Sequence, residues 1–580
     1  MICPNLLYSK TQRPPQPYNP TNEERYKMAH YALHRACHTE DFYPIFNAFS
    51  PPENITTLAN SGQFKGKRVG IIGGGLAGMS SAFELRKLGF DITIFEASEL
   101  RIGGRVYTHY FDKEKTLYGE LGAMRIPVNH ETVWHYINLF KLNTRPFYQT
   151  DPNTFIYLHQ TRVRNDPYGK NVMKDIYPSY DLTPWERKTP WQELGYYGIE
   201  APILKAPPSS RSEIIQVKPE YSKQLLFWDS LSTRQMFEWR NLSQGAINLL
   251  SNFFPIGGEF LYNNYVDFVQ EYFPVNFWFM YEINGGLVNL PLAFHKSFNS
   301  KTPWEYYPNI HSQQLGNVKW KAGHTVKGIY YQNSNNVTLL YQNNNSQTNQ
   351  YEDFDYVICA IPFSILRTID IKPMFSSTKM QAIKEVNYGN AQKSILNCSR
   401  RFWEDQGIHG GGSYTDLPVT TIWYPSHPIK QSADTNKSTT FGGKTGDPGD
   451  PGDPGVLLAS YNFNLDAVRL GSMSDEDRLE KIKENIEEVH GLQKGTLDSI
   501  VTDSKTQQWN DDPLFRGAFC YFTPEQKKLF SWEMTKPEYN NRIFFAGEHV
   551  SALHRWMQGA LKSGMEAANA LVRSESNFTI

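Results

Sequence analysis

Residues 73 to 78 read Gly73-Gly74-Gly75-Leu76-Ala77-Gly78, the spacing GxGxxG, and Glu96 follows 18 residues after the last of these glycines. That pattern can hold a dinucleotide. Gly73 permits a tight turn, Gly75 lets the backbone approach a pyrophosphate, and Gly78 lets the following helix pack closely on a sheet. The helix start at Leu76 and Ala77 offers free N–H groups and the positive end of its dipole to phosphate oxygens. A carboxylate at Glu96 accepts from both hydroxyls of a ribose, which favours a 2′-OH over a 2′-phosphate. The spacing alone is weak. Here Arg68 to Ile72 reads as a short buried strand before it, Met79 to Leu88 as a helix, and Phe90 to Glu96 as a second, alternating strand. The unit is β-α-β, the context the motif requires.

Two further segments choose between dinucleotides. Arg101-Ile102-Gly103-Gly104-Arg105 follows Glu96 almost at once, and a glycine pair flanked by arginines brings backbone and a cation to a pyrophosphate. Near the end, Phe544-Phe545-Ala546-Gly547-Glu548 is a strand running into Gly-Glu, which can set a carboxylate on a ribityl hydroxyl. NAD has no ribityl chain, so the expected cofactor is FAD. Among other reactive types, His295, His549 and His554 are isolated, and an isolated histidine is more often structural than catalytic. Glu282 is an acid inside the apolar run Trp278 to Glu282. It either selects basic substrate side chains or pairs with a nearby cation as structure. Cys3, Cys37, Cys359, Cys398 and Cys520 form no CxxC pair, so they read as buried free thiols, without a zinc site or a disulfide framework.

The remaining elements must position these groups. A polar, Pro- and Asn-rich arm with a helix at about Glu23 to Arg35 precedes the β-α-β unit. The stretch from about 165 to 300 is aromatic and helical, with Ser232 to Phe253 as one helical stretch. Strands are expected at Val318 to Trp320, Thr325 to Tyr330, Val337 to Tyr341 and Phe354 to Ile358, with polar turns at Gln332 to Asn336 and Gln342 to Gln350. Gly446 to Gly455, GDPGDPGDPG, is a surface loop, since three such repeats cannot make a triple helix. Asp475 to His490 is a charged amphipathic helix, Arg542 to Ala546 a strand, and Gln558 to Val572 a helix.

The chain has 580 residues, enough for several domains, and a formal net charge of −1. That charge gives no reason to expect nucleic acid or an anionic membrane as partner. No apolar run reaches the roughly 18 residues of a membrane span. The N-terminus lacks a charged region followed by an apolar run, so no signal peptide is read and a cytoplasmic location is favoured; secretion stays open if a signal has been removed.

These residues resemble the flavin-containing amine oxidase superfamily, over most of the chain from Lys67 to Arg573. Gly119-Glu120-Leu121-Gly122-Ala123-Met124-Arg125-Ile126-Pro127 is similar to the GxMR(L/I/F)P motif of its L-amino acid oxidase branch. Arg401 to Ile408 and His554 to Gly564 resemble further segments of that branch. The resemblance implies an α/β fold: a Rossmann-like FAD-binding domain, a mixed-sheet substrate-binding domain and a helical subdomain. It divides the chain into an arm at 1–60, FAD-binding segments at 61–130, 271–375 (with some substrate-domain strands) and 536–580, substrate-binding segments at 131–165 and 376–535, and a helical substrate-entry domain at 166–270.

The resemblance also implies roles. Arg125 holds the substrate carboxylate, and Tyr461 shares it. Trp556 closes the cage beside the flavin. The Arg555 carbonyl accepts from the substrate amine, although the family usually has a smaller residue there, so an inward Arg555 side chain would change the pocket. Lys393 holds a water at the flavin. FAD contacts fall to Gly73, Gly75, Leu76, Ala77, Gly78, Glu96, Ala97, Gly104 and Arg105. They continue at Gly122, Ala123, Met124, Arg125, Val326, Gly547, Glu548, Trp556, Met557 and Ala560. The implied reaction converts an L-amino acid and dioxygen to a 2-oxo acid, ammonia and hydrogen peroxide. The implied assembly is a homodimer or higher homo-oligomer. A flavin amino-acid 2-monooxygenase, yielding an amide, also needs the arginine and is the alternative. A polyamine or monoamine oxidase does not need it. A non-catalytic FAD-binding scaffold would not need the substrate residues at all.

Overall fold

The computed structural model describes residues 12–253, 259–306, 309–332, 336–346, 348–426 and 451–576. At its centre is a five-stranded sheet, ordered Val318–Ala322, Asp91–Glu96, Arg68–Ile72, Tyr356–Cys359, Ile543–Phe545, with every neighbouring pair parallel. Four of its residues on the first strand, Val69 to Ile72, are buried, as a strand covered on both faces must be. The helix after that strand is Leu76–Lys87, starting three residues before the expected Met79 because Gly75 already serves as its extended N-cap. Helix Met557–Ser576 lies against it. Small residues allow the approach: a Cβ on Gly564 would stand 2.1 Å from the Ser80 hydroxyl and 2.2 Å from the Ala77 carbonyl. The serines also use the contact, Ser80 Oγ donating to the Leu561 carbonyl at 2.9 Å and Ser81 Oγ to that of Gly564 at 2.8 Å.

Beside the central sheet, Asn349–Phe354, Val337–Asn343 and His324–Tyr331 form an antiparallel meander, extended by Asp370–Lys372. The single strand expected at Phe354 to Ile358 is two strands in two sheets. The chain changes sheet at Asp355, whose carboxylate accepts from the Arg68 N–H at 2.8 Å. The expected turn from Gln342 to Gln350 is shorter, since the strands run to Asn343 and resume at Asn349.

A third, seven-stranded mixed sheet runs Val501–Gln508, Ala391–Cys398, Gly455–Phe463, Thr421–Trp423, Gly412–Thr415, Phe155–Leu158, Thr161–Arg164. Between it and the N-terminal arm lie short helices. The one helical stretch expected at Ser232 to Phe253 is two, Thr233–Trp239 and Gln244–Ser251. Asn241 breaks it in the left-handed region (φ 59°), and Ser243 caps the second helix by accepting from the Ala246 N–H. The arm's helix is Asn22–Arg35, started by a Thr21–Glu24 capping box. Its Arg25, 1% exposed, fastens the arm to the body through the Glu131 carboxylate and the Val128 carbonyl.

Cys359, Cys398 and Cys520 are free and buried as expected. Cys37 is disulfide-bonded, which corrects the reading of that residue as a free thiol. Of the GDPG loop, residues 446–450 lie outside the described residues, and the rest turns into strand Gly455–Phe463. Among the described residues no helix is long and apolar enough to cross a membrane, and no group of His, Cys, Asp and Glu side chains could hold a metal ion.

Candidate functional site

Two adjoining cavities occupy the junction of the central sheet and the seven-stranded sheet. The larger has a volume of about 420 Å³ and the smaller about 110 Å³. Gly122, Ala123, Tyr461, Phe519, Arg555, Trp556 and Met557 line both, so they form the passage between them.

The larger cavity collects nearly all the residues the glycine motifs singled out. Gly73, Gly75, Leu76, Ala77, Glu96, Ala97, Gly104, Arg105, Val326, Gly547, Glu548 and Ala560 line it. The space above Gly75 is open, with no atom within 4 Å of where a Cβ would stand. Gly78 does not line it. A Cβ there would meet the Gly73 carbonyl at 2.1 Å, so its smallness serves the helix–sheet approach. Met124 and Arg125 line the smaller cavity, away from the larger one.

Glu96 is held by the motif it serves: its two carboxylate oxygens accept from the Gly74 N–H at 2.9 Å and the Ser98 N–H at 2.7 Å. Burial raises its pKa, and those two N–H groups oppose the rise. Glu548 is pinned more heavily, by Arg105 Nη1 at 2.8 Å, the Cys520 N–H at 3.1 Å and the Arg555 N–H at 3.0 Å. Burial acts to raise its pKa, but Arg105, and then His554 and His549, outweigh it and bring the carboxyl down to about 2.

The smaller cavity is walled by Phe260, Phe268, Tyr272, Phe277, Tyr414, Trp423 and Phe463. Arg125 enters it from the residue before strand Ile126–Pro127. Its Nη1 donates to Gln149 Oε1 at 2.8 Å, and its guanidinium stands 4.9 Å from the Trp423 ring centroid and 5.4 Å from that of Phe277. Among the described residues no carboxylate lies within ion-pair distance of it. Burial lowers its pKa; a guanidinium nevertheless keeps its charge. A charge so enclosed, with a neutral amide as its hydrogen-bond partner, can accept an anion.

Lys393 sits opposite Tyr461 in register on adjacent antiparallel strands, so the two side chains share a face. The lysine is 2% exposed, which is unusual for one lysine in a strand. Its Nζ donates to the Gly122 carbonyl at 2.7 Å and lies 4.3 Å from the Tyr461 ring centroid. Burial lowers its pKa to about 7, against an opposing pull from Glu120. Glu120 is itself raised to about 8, first by burial. Both groups are driven toward their neutral forms. Tyr461 is held from behind by Thr420 and Thr421, whose hydroxyls donate to its carbonyl at 3.0 and 2.9 Å.

Trp556 stands edge-on to His130, with ring centroids 4.9 Å apart, and its buried Nε1 has no hydrogen-bond partner among the described residues. Arg555 takes a left-handed backbone (φ 73°) and turns its side chain inward. Nη2 pairs with Asp267 at 2.5 Å, and Nε lies 2.8 Å from Glu271. The Arg555 side chain therefore lines the smaller cavity and holds two carboxylates beside it.

The three histidines line neither cavity. His295 contacts Trp320 and Asn299, His549 is buried against Phe363 with its pKa pushed down to about 3 by burial, and His554 Nδ1 lies 2.6 Å from Asp267. Glu282 is also outside both cavities. It faces Arg145 across paired strands, with Nε and Oε1 2.5 Å apart, so of the two readings the structure shows the ion pair with a nearby cation. Sequence reasoning missed Gln149, Tyr414, Trp423, Glu271 and His130. None lies in a motif, and they reach the cavity from separate elements.

A sequence profile of the flavin containing amine oxidoreductases matches residues 76–572. The L-amino-acid oxidase of Vipera ammodytes ammodytes is 30% identical over 514 residues, covering 88% of this chain and 93% of that protein. The L-amino-acid oxidase of Crotalus adamanteus is 29% identical over 518 residues, 88% of each chain. Among solved structures, putrescine oxidase bound to putrescine superposes with a TM-score of 0.63 at 16% identity, covering 87% of this chain and 98% of that one. Cyclohexylamine oxidase from Brevibacterium oxydans IH-35A gives 0.63 at 15% identity, covering 88% and 99%.

Proposed function

The chain belongs to the flavin-containing amine oxidoreductase family, whose cofactor is FAD, and from that premise we propose that it is an L-amino acid oxidase. The observation that carries this reading is Arg125: a guanidinium enclosed by aromatic rings, without a carboxylate partner among the described residues, in the cavity that opens onto the cofactor-sized one. An amine lacking a carboxylate would leave that charge unanswered. The names of the curated relatives support the same reading.

The larger cavity fits FAD. The open space over Gly75 and the start of helix Leu76–Lys87 suit a pyrophosphate, and the Glu96 carboxylate suits a ribose. Val326 and Ala97 line the end near Glu96, and Gly547, Glu548, Met557 and Ala560 belong to the segments that the resemblance assigns to FAD. Bound FAD supplies the acceptor for the two electrons of the amine's α C–H bond.

The protein's residues do the rest. Arg125 forks onto the substrate carboxylate and Tyr461 gives it a second donor, which fixes one end of the molecule. Trp556, at the passage, limits the groups around Cα and admits one enantiomer. The aromatic wall keeps water from the reacting centre. Lys393, whose pKa burial lowers to about 7, lines the larger cavity and holds a water there, through its lone pair when the amine is neutral.

The test is an aerobic assay of the yellow protein on L- and D-amino acids and simple amines, following peroxide, ammonia and oxo acid together. Matching amounts of all three from L-amino acids alone are expected. Carbon dioxide and amide would move the assignment to the monooxygenase, and turnover of carboxylate-free amines would overturn the role of Arg125.

The cofactor end gives a separate prediction. Glu96→Ala removes charge-assisted hydrogen bonds of about 1.5–3 kcal/mol each, so FAD should bind at least about tenfold more weakly. Release of flavin fluorescence on dilution measures this. Unchanged retention would remove Glu96 from the ribose.

A further inference from the structure

Among the described residues Glu271 is the one carboxylate lining the smaller cavity, and it shares that cavity with Arg125. It follows helix Tyr265–Val269, among aromatic residues, and its side chain keeps 16% of its surface accessible. Its charge is incompletely answered. Arg555 Nε is near enough to attract it, at 2.8 Å, but is not aligned with it as a hydrogen bond. No other donor among the described residues reaches the Glu271 oxygens, although a carboxylate has about four acceptor sites. Arg555 is also already engaged by Asp267 through Nη2. Asp267 and Glu271 thus share the Arg555 guanidinium, with His554 Nδ1 also 2.6 Å from Asp267, and burial raises the Glu271 pKa, so Glu271 is the carboxylate that a further cation would stabilise. A substrate carboxylate on Arg125 would occupy the other guanidinium lining the cavity and leave Glu271 still short of a partner.

We propose that Glu271 is the specificity-determining residue for the substrate side chain, and that it selects L-amino acids bearing a cationic side chain, an ammonium or guanidinium. This rests on the oxidase reading above. Arg125 takes the carboxylate, and Glu271 takes the distal cation. Phe260, Phe277, Tyr272 and Tyr414 offer ring surface to the methylene stem and ring faces to the charge. Charge complementarity in an enclosed cavity also rejects acidic side chains, which would meet Glu271 directly.

The experiment uses the full FAD-loaded chain. Steady-state kcat/KM is measured for L-lysine, L-arginine, L-norleucine and L-methionine, with Glu271→Gln beside the unaltered protein. In parallel, calorimetry measures binding of 6-aminohexanoate and hexanoate, which carry the carboxylate without an α-amine and differ in the distal ammonium. The unaltered protein should favour lysine over norleucine at least tenfold and bind 6-aminohexanoate at least tenfold more tightly than hexanoate. In Glu271→Gln the lysine and arginine values should fall at least tenfold, mainly through KM, with norleucine within threefold and the two acids bound alike. Norleucine equal to or better than lysine in the unaltered protein would overturn the proposal, without needing the variant. So would equal losses on all substrates. If no L-amino acid turns over, the oxidase reading fails. The binding pair then decides alone, since a retained preference for 6-aminohexanoate upholds cation recognition by Glu271 and its absence ends it.

Discussion

Arg125→Met should lower kcat/KM for L-amino acids by roughly 30-fold to several thousandfold, the range set by about 2–5 kcal/mol for truncating one partner of an enclosed charge pair. The methionine fills the space between Phe277 and Trp423 but offers the carboxylate nothing, so the anion would enter an aromatic pocket unpaired. Most of the loss should appear in KM. The part in kcat reports how far the carboxylate anchor also sets the approach of the Cα hydrogen. Arg125→Lys keeps the charge and loses the fork, so it should fall between the two. Arg125 lines the smaller cavity only, and FAD content should therefore stay normal. Stopped-flow and steady-state kinetics across the three proteins check this, and a loss below threefold would remove Arg125 from substrate binding.

Lys393→Met should reduce kcat by about 10² to 10⁴, the usual span for a group that handles a proton, while KM moves little. The pH dependence gives the signature. Burial lowers the Lys393 pKa to about 7, so the neutral amine, with its lone pair free, prevails above that pH and the protonated form below it. In the unaltered enzyme kcat should rise as pH passes upward through about 7, and that limb should be missing in the methionine variant. Glu120 titrates beside it and the two are coupled, so the limb belongs to the pair. A kcat profile with the same limb in both proteins would overturn the role.

The cofactor end of this molecule was legible because its signals are local. Gly73 to Gly78 sit in one turn between a strand and a helix, and Glu96 lies at the end of the next strand, where β-α-β geometry must bring it back to that turn. The residues proposed for the substrate end were singled out only through resemblance. Tyr414 and Trp423 come from one hairpin, Gly412–Thr415 with Thr421–Trp423, and Gln149 lies more than 260 residues earlier in the chain, so only packing makes it their neighbour. Glu271 and Glu282 show the limit most clearly. Both are acids in one aromatic stretch. The strand register from 280 to 283 turns Glu282 onto Arg145, while Glu271, in the turn before it, faces the cavity. The disulfide at Cys37 was hidden for a similar reason, since spacing says nothing of which distant thiols meet. The break at Asn241 depended on a left-handed residue that helical periodicity does not reveal.

The contact of helix Leu76–Lys87 with helix Met557–Ser576 has a consequence for how the protein is made. Synthesis delivers the glycine turn early and its partners Gly547, Glu548, Met557 and Ala560 nearly five hundred residues later. Until those residues are made, the nascent chain carries the glycine-turn side of the larger cavity without the wall that closes it. The central sheet waits too, because its edge strand Ile543–Phe545 joins among the last. Closure of the cavity then waits for residues 543–560, and the exposed side of the early helix must be kept from other partners until the late one arrives.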